Sequence, residues 1–318
     1  MNKQNEVAKQ PLSILVTGGA GFIGSNLVEK LAADGYSVIV LDDFSLGKME
    51  NLASVKNKVE VVKGDLRDLE TVKKVTKGVD IVFNEAAASS SPMFLNDLRN
   101  AVSVNVDGFI NVLNACRIND VKKLIYASTS SIYGNSKPPL REDLPVVPVN
   151  LYASTKLLNE HLAILFGKEY GLETIGFRYM SIYGPHEEPK GIYANLATQF
   201  LWAMQRDENP VVYGDGTQTR EFTYVMDVVA ANILAMNLKK NISGEILNIG
   251  TGTCTSLNDL IATINKILGK SIKPKYVENT VKGYIDTQLS DITKIKNILG
   301  YAPKYTLENG LREIVSKK

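Results

Sequence analysis

Three regularly spaced glycines follow a short apolar run near the start of the chain. The run, residues 12–17, is too short for a helix and predicts a buried strand, and helical spacing of apolar residues begins at Phe22. Between them lie Gly18, Gly21 and Gly24. In a strand–turn–helix unit, such glycines allow a tight turn, close approach of a pyrophosphate and packing of the helix on the strand. The helix N-terminus adds N–H donors for a phosphate. The spacing therefore predicts a dinucleotide site.

Strands and helices alternate through the first half of the sequence. The predicted strands are almost continuously apolar, which is typical of a parallel sheet covered by helices on both faces. We therefore predict an α/β fold, a doubly wound parallel sheet of the Rossmann type. The further predicted strands are residues 37–41, 59–62, 79–83, 123–127 and 174–178, and the predicted helices are residues 22–33, 95–118 and 151–170.

Acidic residues follow the second and third predicted strands. Asp42 lies where a carboxylate accepts hydrogen bonds from an adenosine ribose and repels a 2′-phosphate, which favours NAD over NADP. Asp65 has two explanations that the sequence leaves open. It contacts the adenine end of the dinucleotide, or it is the N-cap of the helix that begins after Leu66.

The pattern changes after residue 179. Glycine and proline become frequent and the elements shorten, which indicates a second, smaller lobe. The segment 224–238 and a predicted strand at 245–249 are regular enough to return to the main sheet. We predict an NAD-binding domain over residues 12–178, with returns near 224–250, and a sequence-interleaved substrate lobe over most of 179–318.

The composition excludes several classes of partner. The 318 residues carry a formal net charge of +2, so we expect neither nucleic acid nor a membrane surface. The two cysteines and two histidines form no cluster with metal-ligand spacing, and we predict no metal. The polar first residues do not resemble a secretory signal, and we expect a cytoplasmic protein.

Tyr152 and Lys156 are four residues apart in a predicted helix and project from one face. A phenol ionises near pH 10, and an adjacent ammonium favours the phenolate, so the pair can supply a general base near neutral pH. On spacing alone, a chance surface pair is the commoner explanation of Tyr152 and Lys156. The glycine turn and Asp42 favour the explanation that the pair is a catalytic base.

Motifs along nearly the whole chain resemble those of one family. The chain resembles the extended short-chain dehydrogenase/reductases, in particular the NAD-dependent epimerase/dehydratase branch that acts on nucleotide sugars, and within it the UDP-glucose 4-epimerase-like enzymes. The matching motifs are TGGAGFIGSNL (17–27), VLDDFSLGK (40–48), GDLRD (64–68), NVDG (105–108), YASTSSIYG (126–134), YASTK (152–156), FRYMSIYGP (177–185), YGDGTQTREFTYVMDV (213–228) and NIGTGTCTSLNDL (248–260).

The resemblance implies three catalytic residues. Tyr152 is implied as the base. Lys156 is implied as the residue that holds the nicotinamide ribose and lowers the pKa of Tyr152. Thr129 is implied as the hydrogen-bond partner of the reacting sugar hydroxyl.

The resemblance also implies binding residues. Asn105 is implied as a structural or a cofactor-side residue. Arg220 is implied as a diphosphate ligand, for which a surface ion pair with Glu221 or a neighbour is the alternative. The implied cofactor residues are Gly18, Gly21, Phe22, Ile23, Gly24, Asp42, Asp43, Lys48, Asp65, Leu66, Ala86, Ala87, Asn105, Tyr152, Lys156 and Tyr179. The implied substrate residues are Thr129, Ser131, Ser181, Asn195, Leu196 and Arg220.

The chain departs from the family pattern in two regions. Ser130 and Ser131 stand where the related dehydratases carry Asp-Glu, and a hydroxyl has no useful acid–base pKa, which disfavours dehydratase and decarboxylase chemistry. Ser181 and Val281 replace a diphosphate-binding asparagine and arginine. Lys282 is a candidate replacement for the arginine, as a point charge without the planar fork.

Together these features predict a nucleotide-sugar 4-epimerase that keeps NAD tightly bound and forms a transient 4-keto intermediate on a UDP-hexose. A sugar dehydrogenase or reductase with net redox turnover is the first alternative, and a non-catalytic NAD-binding protein is the second. The resemblance implies a homodimer in which helices from residues 95–118 and 151–170 pair with their copies. The alternative is that the monomer's own sheet and lobes cover both faces.

Overall fold

A seven-stranded parallel sheet forms the centre of the molecule, which the computed structural model describes for residues 11–279 and 286–316. The strands in these ranges are β1 (Ser13–Thr17), β2 (Ser37–Asp42), β3 (Val59–Lys63), β4 (Ile81–Asn84), β5 (Lys123–Thr129), β6 (Glu173–Tyr179), β7 (Ile182–Tyr183), β8 (Val211–Tyr213), β9 (Thr219–Arg220), β10 (Thr223–Tyr224), β11 (Glu245–Ile249), β12 (Thr255–Ser256) and β13 (Lys275–Val277). The sheet order is β3-β2-β1-β4-β5-β6-β11. The order reverses between β1 and β4, as in dinucleotide-binding folds, which confirms the predicted doubly wound sheet.

Helices cover both faces of this sheet. Along β1, Ile14 and Val16 pack in the core beneath the first and eighth helices, whereas Leu15 packs on the opposite face. This alternation is the period of two that a strand imposes on its side chains. The helices in the described ranges are α1 (Phe22–Ala33), α2 (Leu69–Thr76), α3 (Ser91–Asn96), α4 (Leu98–Asn105), α5 (Asp107–Ile118), α6 (Leu151–Tyr170), α7 (Leu196–Gln205), α8 (Val225–Asn237), α9 (Leu257–Leu268), α10 (Thr293–Leu299) and α11 (Leu307–Ser316). Short 3₁₀ helices occupy Met49–Leu52, Ser130–Tyr133 and Glu188–Tyr193.

The single helix predicted over residues 95–118 is wrong, because the chain forms α3, α4 and α5 there. Asp97 has non-helical backbone angles, and its carboxylate accepts a hydrogen bond from the N–H of Asn100 at 3.0 Å, which begins α4. Such a side chain competes with the continuing helix for backbone donors. Val106 then separates α4 from α5. Apolar periodicity does not reveal these breaks because it continues across them.

The chain after β6 alternates between the sheet and a smaller lobe. β11 pairs with β6 from Glu245 opposite Ile175 to Ile249 opposite Tyr179, and α8 packs on α1. The short strands pair in twos, β7 with β10, β8 with β13 and β9 with β12. The interleaving of the lobe is therefore confirmed, while a domain limit at residue 178 stays a prediction. In the part of the chain that the structure describes, no helix is long and apolar enough to cross a membrane.

Candidate active site

A cleft of about 630 Å³ opens at the carboxyl ends of β1, β4, β5 and β6, where the strand order reverses. Ligands of open α/β sheets bind at such a reversal. All residues predicted to bind cofactor or substrate line this cleft except Lys48, Asn105 and Leu196. The structure therefore brings together most of a set that is dispersed over two hundred positions of sequence.

The three exceptions lie nearby in other roles. Lys48 is exposed, and its backbone N–H donates to the carbonyl of Ala20 at 3.0 Å. Leu196 begins α7 and packs against the main core. Asn105 is buried behind the cleft wall, where its Oδ1 accepts from the N–H of Ala88 at 2.8 Å and its Nδ2 donates to the hydroxyl of Thr155 at 3.1 Å. That placement favours the structural alternative for Asn105.

The glycine turn is packed too closely for side chains at two positions. Gly18 has φ of +64°, and a Cβ there would lie 2.7 Å from the backbone of Ala86. A Cβ on Gly24 would lie 2.2 Å from the carbonyl oxygen of Gly18. Gly21 is the N-cap of α1, and no side chain of the described residues caps that end. The first-turn N–H groups and the α1 dipole therefore suit an anion in the cleft.

Asp42 braces the glycine turn as well as lining the cleft. Its carboxylate accepts hydrogen bonds from the N–H of Ala20 at 2.9 Å and of Phe44 at 2.8 Å. Burial raises the pKa of Asp42, and these two hydrogen bonds oppose the rise by favouring the charged form. A carboxylate held here suits ribose hydroxyls and disfavours a 2′-phosphate, which supports the expected preference for NAD.

Asp65 lines the cleft beyond β3 and is paired with its neighbour. Its carboxylate accepts from the Arg67 guanidinium, and this bond holds the pKa of Asp65 below its usual range. The N-cap of α2 is Asp68, whose carboxylate accepts from the N–H groups of Glu70 and Thr71. The alternative of Asp65 as helix cap is therefore wrong. Contact of Asp65 with the adenine end stays a prediction.

Tyr152 and Lys156 lie one turn apart on the cleft side of α6. Asn150 is the N-cap of this helix, and its side chain accepts a hydrogen bond from the N–H of Ala153 at 2.8 Å. Lys156 Nζ donates to the carbonyl of Ala127 at 3.0 Å, two residues before Thr129 on β5. One helix and one strand end thus carry all three predicted catalytic residues.

Burial dominates the acidity of this pair. It raises the pKa of Tyr152 to about 12; the Thr129 hydroxyl opposes the rise and the charge of Glu85 adds to it. Burial also lowers the pKa of Lys156 to about 8, against the opposing charges of Glu85 and Glu160. The direction for Tyr152 is the opposite of the one that the resemblance implied. The physical reason is that removal from water disfavours the charged phenolate, and the Thr129 hydroxyl opposes this effect only in part.

A buried ion pair fixes α6 on the sheet. Glu160 accepts from the guanidinium of Arg178 through both oxygens, at 2.8 and 3.0 Å, and from the hydroxyl of Ser128 at 2.5 Å. Ser128 directly precedes Thr129, and Arg178 directly precedes Tyr179. The pair therefore holds the helix of the predicted base against the two strand ends that face it.

Glu85, to which no sequence motif points, lies on the cleft wall directly after β4. Tyr179 Oη donates to Glu85 Oε1 at 2.8 Å, and Asn232 Nδ2 donates to Tyr179 Oη at 3.1 Å. Glu85 Oε2 is buried and has no hydrogen-bond partner among the described residues. Burial raises the pKa of Glu85 to about 7, opposed by the Tyr179 hydrogen bond and by the charge of Lys156. The sequence feature that could have identified Glu85 is its position as a charged residue directly after the buried strand β4.

Gln288 connects two serines of the cleft and was also missed. Its Nε2 donates to Ser130 Oγ at 2.6 Å, and its Oε1 accepts from Ser181 Oγ at 2.8 Å. All three side chains line the cleft, as does Ser131. No pattern in the sequence connects positions so far apart. The departures noted at Val281 and Lys282 lie outside the described residues.

Arg220 and Asn195 line the cleft from the smaller lobe. Arg220 Nη1 donates to the carbonyl of Thr219 at 2.7 Å, and Asn195 caps α7 through its side chain. Glu221 is fully buried, and its carboxylate accepts from the N–H groups of Thr251 at 2.6 Å and Gly252 at 2.7 Å. A surface ion pair with Glu221 therefore does not explain Arg220.

The residues of the cleft fit NAD. A side-chain-free turn at Gly18 and an uncapped α1 N-terminus suit a pyrophosphate, and the Asp42 carboxylate suits a ribose. Lys156 and Tyr179 line the same cleft beyond the turn, at the ends of α6 and β6 nearest the predicted base.

Comparison with known proteins shows the family of the chain. Residues 14–250 match the model of the NAD dependent epimerase/dehydratase family. A putative UDP-glucose 4-epimerase of Methanocaldococcus jannaschii is 36% identical, over 95% of this chain and 97% of its own. A UDP-N-acetyl-alpha-D-glucosaminuronate decarboxylase of Bacillus cytotoxicus is 34% identical, over 95% and 96%. The crystal structure of UDP-glucose 4-epimerase with UDP-glucose from Thermotoga maritima is similar with a TM-score of 0.90 and 36% identity, over 96% and 98%. The chain therefore belongs to the NAD dependent epimerase/dehydratase family.

Proposed function

We propose that the protein is an NAD-dependent UDP-sugar 4-epimerase that works through a transient 4-keto sugar. The observation that carries the proposal is the placement of Thr129, Tyr152 and Lys156 on one cleft wall that also holds the glycine turn. Relatives named for 4-epimerisation, one of them with UDP-glucose in its crystal structure, support the reaction and the nucleotide.

The mechanism assigns the proton to Tyr152. Thr129 holds the C4 hydroxyl of the sugar, and the Tyr152 phenolate removes its proton, with the Lys156 ammonium as the compensating charge. The glycine turn, Asp42 and Lys156 would hold NAD, which when bound would supply reversible hydride transfer at C4 and a positive charge that favours the phenolate. The keto sugar turns over in the site before C4 is reduced again. Tyr152 then returns the proton to the C4 oxygen, and C4 has the inverted configuration.

The two serines after Thr129 support epimerisation over elimination. Elimination of water or loss of a carboxyl group needs an acid or base beside the reacting carbons, and serine hydroxyls do not supply one at neutral pH. Ser130 is moreover committed to its hydrogen bond with Gln288. The same cleft thus favours chemistry in which the oxidised sugar is reduced again.

The test is turnover of defined sugars by the wild-type protein and by Tyr152→Phe. UDP-glucose, UDP-N-acetylglucosamine and UDP-glucuronate are incubated with each protein, and products are separated by chromatography while NADH is followed by absorbance. Loss of the base should lower turnover by roughly 10²–10⁴-fold while NAD stays bound. Tyr170→Phe, an exposed tyrosine at the end of α6, is the matched control.

Other outcomes are equally informative. Undiminished turnover in Tyr152→Phe would contradict the assignment of the base. NADH that accumulates in proportion to product would identify a net oxidoreductase, and carbon dioxide released from UDP-glucuronate would identify a decarboxylase.

We also propose a homodimer that pairs α5 and α6 with their copies. Leu151, Leu158 and Leu165 on α6 are 48%, 42% and 55% exposed, and their spacing of seven places them in one stripe along the helix. Ile118 at the end of α5 is exposed as well. Light scattering should give the mass of two chains for the wild type and of one chain for a Leu158→Asp, Leu165→Asp variant. A wild-type monomer would contradict the pairing.

We further propose that the protein works in the cytoplasm. Cys116 and Cys254 are both free thiols, and Cys254 is exposed, which suits a reducing compartment. Fractionation of source cells with detection of the protein by antibody tests this, and recovery with secreted proteins would contradict it.

A further inference from the structure

Glu85 is a carboxyl group on the catalytic wall that the proposed mechanism does not use. The hydrogen bonds from Asn232 to Tyr179 and from Tyr179 to Glu85 fix the orientation of its side chain. Its second oxygen has no hydrogen-bond partner among the described residues although it is buried. Unpaired buried oxygens of this kind are costly, and they are concentrated at functional sites.

Glu85 lines the cleft together with Tyr152 and Lys156 of α6 and Tyr179 of β6. From α6, Tyr152 and Lys156 both respond to its charge. From β6, Tyr179 is its hydrogen-bond donor, and burial raises the pKa of Tyr179 well above its ordinary value, so that hydroxyl keeps its proton. Glu160 also acts on Lys156, but its charge is matched by Arg178 at 2.8 Å. Glu85 is therefore the acidic neighbour of Lys156 whose charge is not neutralised by a close cation among the described residues.

We propose that Glu85 is a third ionisable member of the catalytic centre, a positioning residue whose charge keeps Lys156 an ammonium and sets the pH range in which Tyr152 and Lys156 work together. The inference deepens the proposed function and rests on it for the role of Tyr152 as base.

Desolvation is the physical reason that Lys156 needs a neighbouring negative charge. A lysine in a site with little water tends to lose its proton, and Lys156 has a carbonyl, that of Ala127, as its hydrogen-bond acceptor. A nearby carboxylate restores the preference for the ammonium. The same negative charge disfavours the Tyr152 phenolate, so Glu85 moves both titrations toward higher pH. Glu85 therefore shifts the pH range of activity toward higher pH without widening it.

Glu85→Gln tests the charge by itself, because the amide keeps the size of the side chain and an oxygen to accept the Tyr179 hydroxyl. We expect both limbs of the pH–rate profile of kcat to move to lower pH by roughly one unit, the lower end of what a neighbouring charge produces. The two limbs are properties of the coupled pair and are compared as a set. A purely structural Glu85 would lower activity without moving the profile.

A second readout needs no turnover. Tyrosinate absorbance of the NAD-loaded protein is titrated, and the curve of the matching protein that also carries Tyr152→Phe is subtracted, which isolates Tyr152 among the 14 tyrosines. The Tyr152 titration should move to lower pH in Glu85→Gln. Glu70→Gln, which removes an exposed carboxylate from α2, should leave it where it is in the wild type.

Two further variants separate charge from orientation. Tyr179→Phe keeps the carboxylate but removes a hydrogen bond that lowers the pKa of Glu85, so it should shift the Tyr152 titration in the acid direction by less than Glu85→Gln does. Glu85→Asp moves the carboxylate away by one methylene and should shift the Tyr152 titration in the same acid direction. It provides the test of charge if Glu85→Gln does not fold. An unmoved Tyr152 titration in the variants of Glu85, or an equal shift in Tyr179→Phe, would overturn the proposal.

The two readouts also keep this proposal distinct from the proposed function. A shifted Tyr152 titration in a protein that epimerises none of the sugars would leave Glu85 in its role and remove the epimerase assignment. An active epimerase in which the Glu85 variants do not shift the Tyr152 titration would keep the epimerase assignment and remove the proposed role of Glu85.

Discussion

Two carboxylates, Glu160 and Glu85, act on Lys156 and differ in how their charge is balanced. Glu160 accepts from the Arg178 guanidinium through both oxygens and from a serine hydroxyl. Glu85 accepts one hydrogen bond from Tyr179, and its other oxygen has no partner among the described residues. Full pairing makes a buried carboxylate part of the scaffold, whereas incomplete pairing leaves one that can change its charge in the working pH range.

The largest effect is expected from breaking the complete pair. Glu160→Gln leaves Arg178 as an uncompensated buried charge and should lower the free energy of unfolding by about 3–5 kcal/mol, measured by urea denaturation. The control is Asp143→Asn, which breaks an ion pair with Arg141 whose side chains are 66% and 58% exposed, and it should cost no more than about 1 kcal/mol. Equal losses in the two variants would remove the distinction between buried and exposed pairs here.

A smaller effect, opposite in sign, is expected at the incomplete site. Because the pKa of Glu85 is raised to about 7 on folding, its protonated form stabilises the fold below its unfolded pKa, and that contribution is lost as the pH rises through about 7. Without NAD, Glu85→Gln should therefore gain about 2–3 kcal/mol relative to the wild type between pH 4.5 and pH 8. Urea denaturation at both pH values measures this, and a difference that does not vary with pH would contradict it.

The smallest effect concerns the polar bridge from Ser130 through Gln288 to Ser181, which follows Thr129 in the cleft. Gln288→Ala leaves the hydroxyls of Ser130 and Ser181 without their partner, which should cost about 1–2 kcal/mol of sugar binding, or roughly tenfold in KM. NAD affinity, measured by calorimetry, should not change. The exposed neighbour Thr287→Ala is the control. A change in NAD affinity without a change in KM would contradict this prediction, because it would assign Gln288 to the binding of NAD.

Local features were predicted well and long-range ones were not. The bounds of α1 and α6 match the prediction residue for residue, because apolar spacing and the flanking residues act within a few positions. The division of residues 95–118 at Asp97 was missed, because a side-chain cap leaves apolar periodicity intact. Gln288 was missed because its partners are more than a hundred residues away in sequence.

The sequence by itself determined the seven strands of the main sheet, the glycine turn and the pairing of Tyr152 with Lys156 on one helix face. Each of these depends on residues within a few turns of one another. Only the tertiary structure decided the acidity of the site, in which burial raises the pKa of Tyr152 to about 12 and that of Glu85 to about 7. Desolvation sums over every element packed around a group, and charges act across strands and helices, so neither can be read from neighbours in the chain.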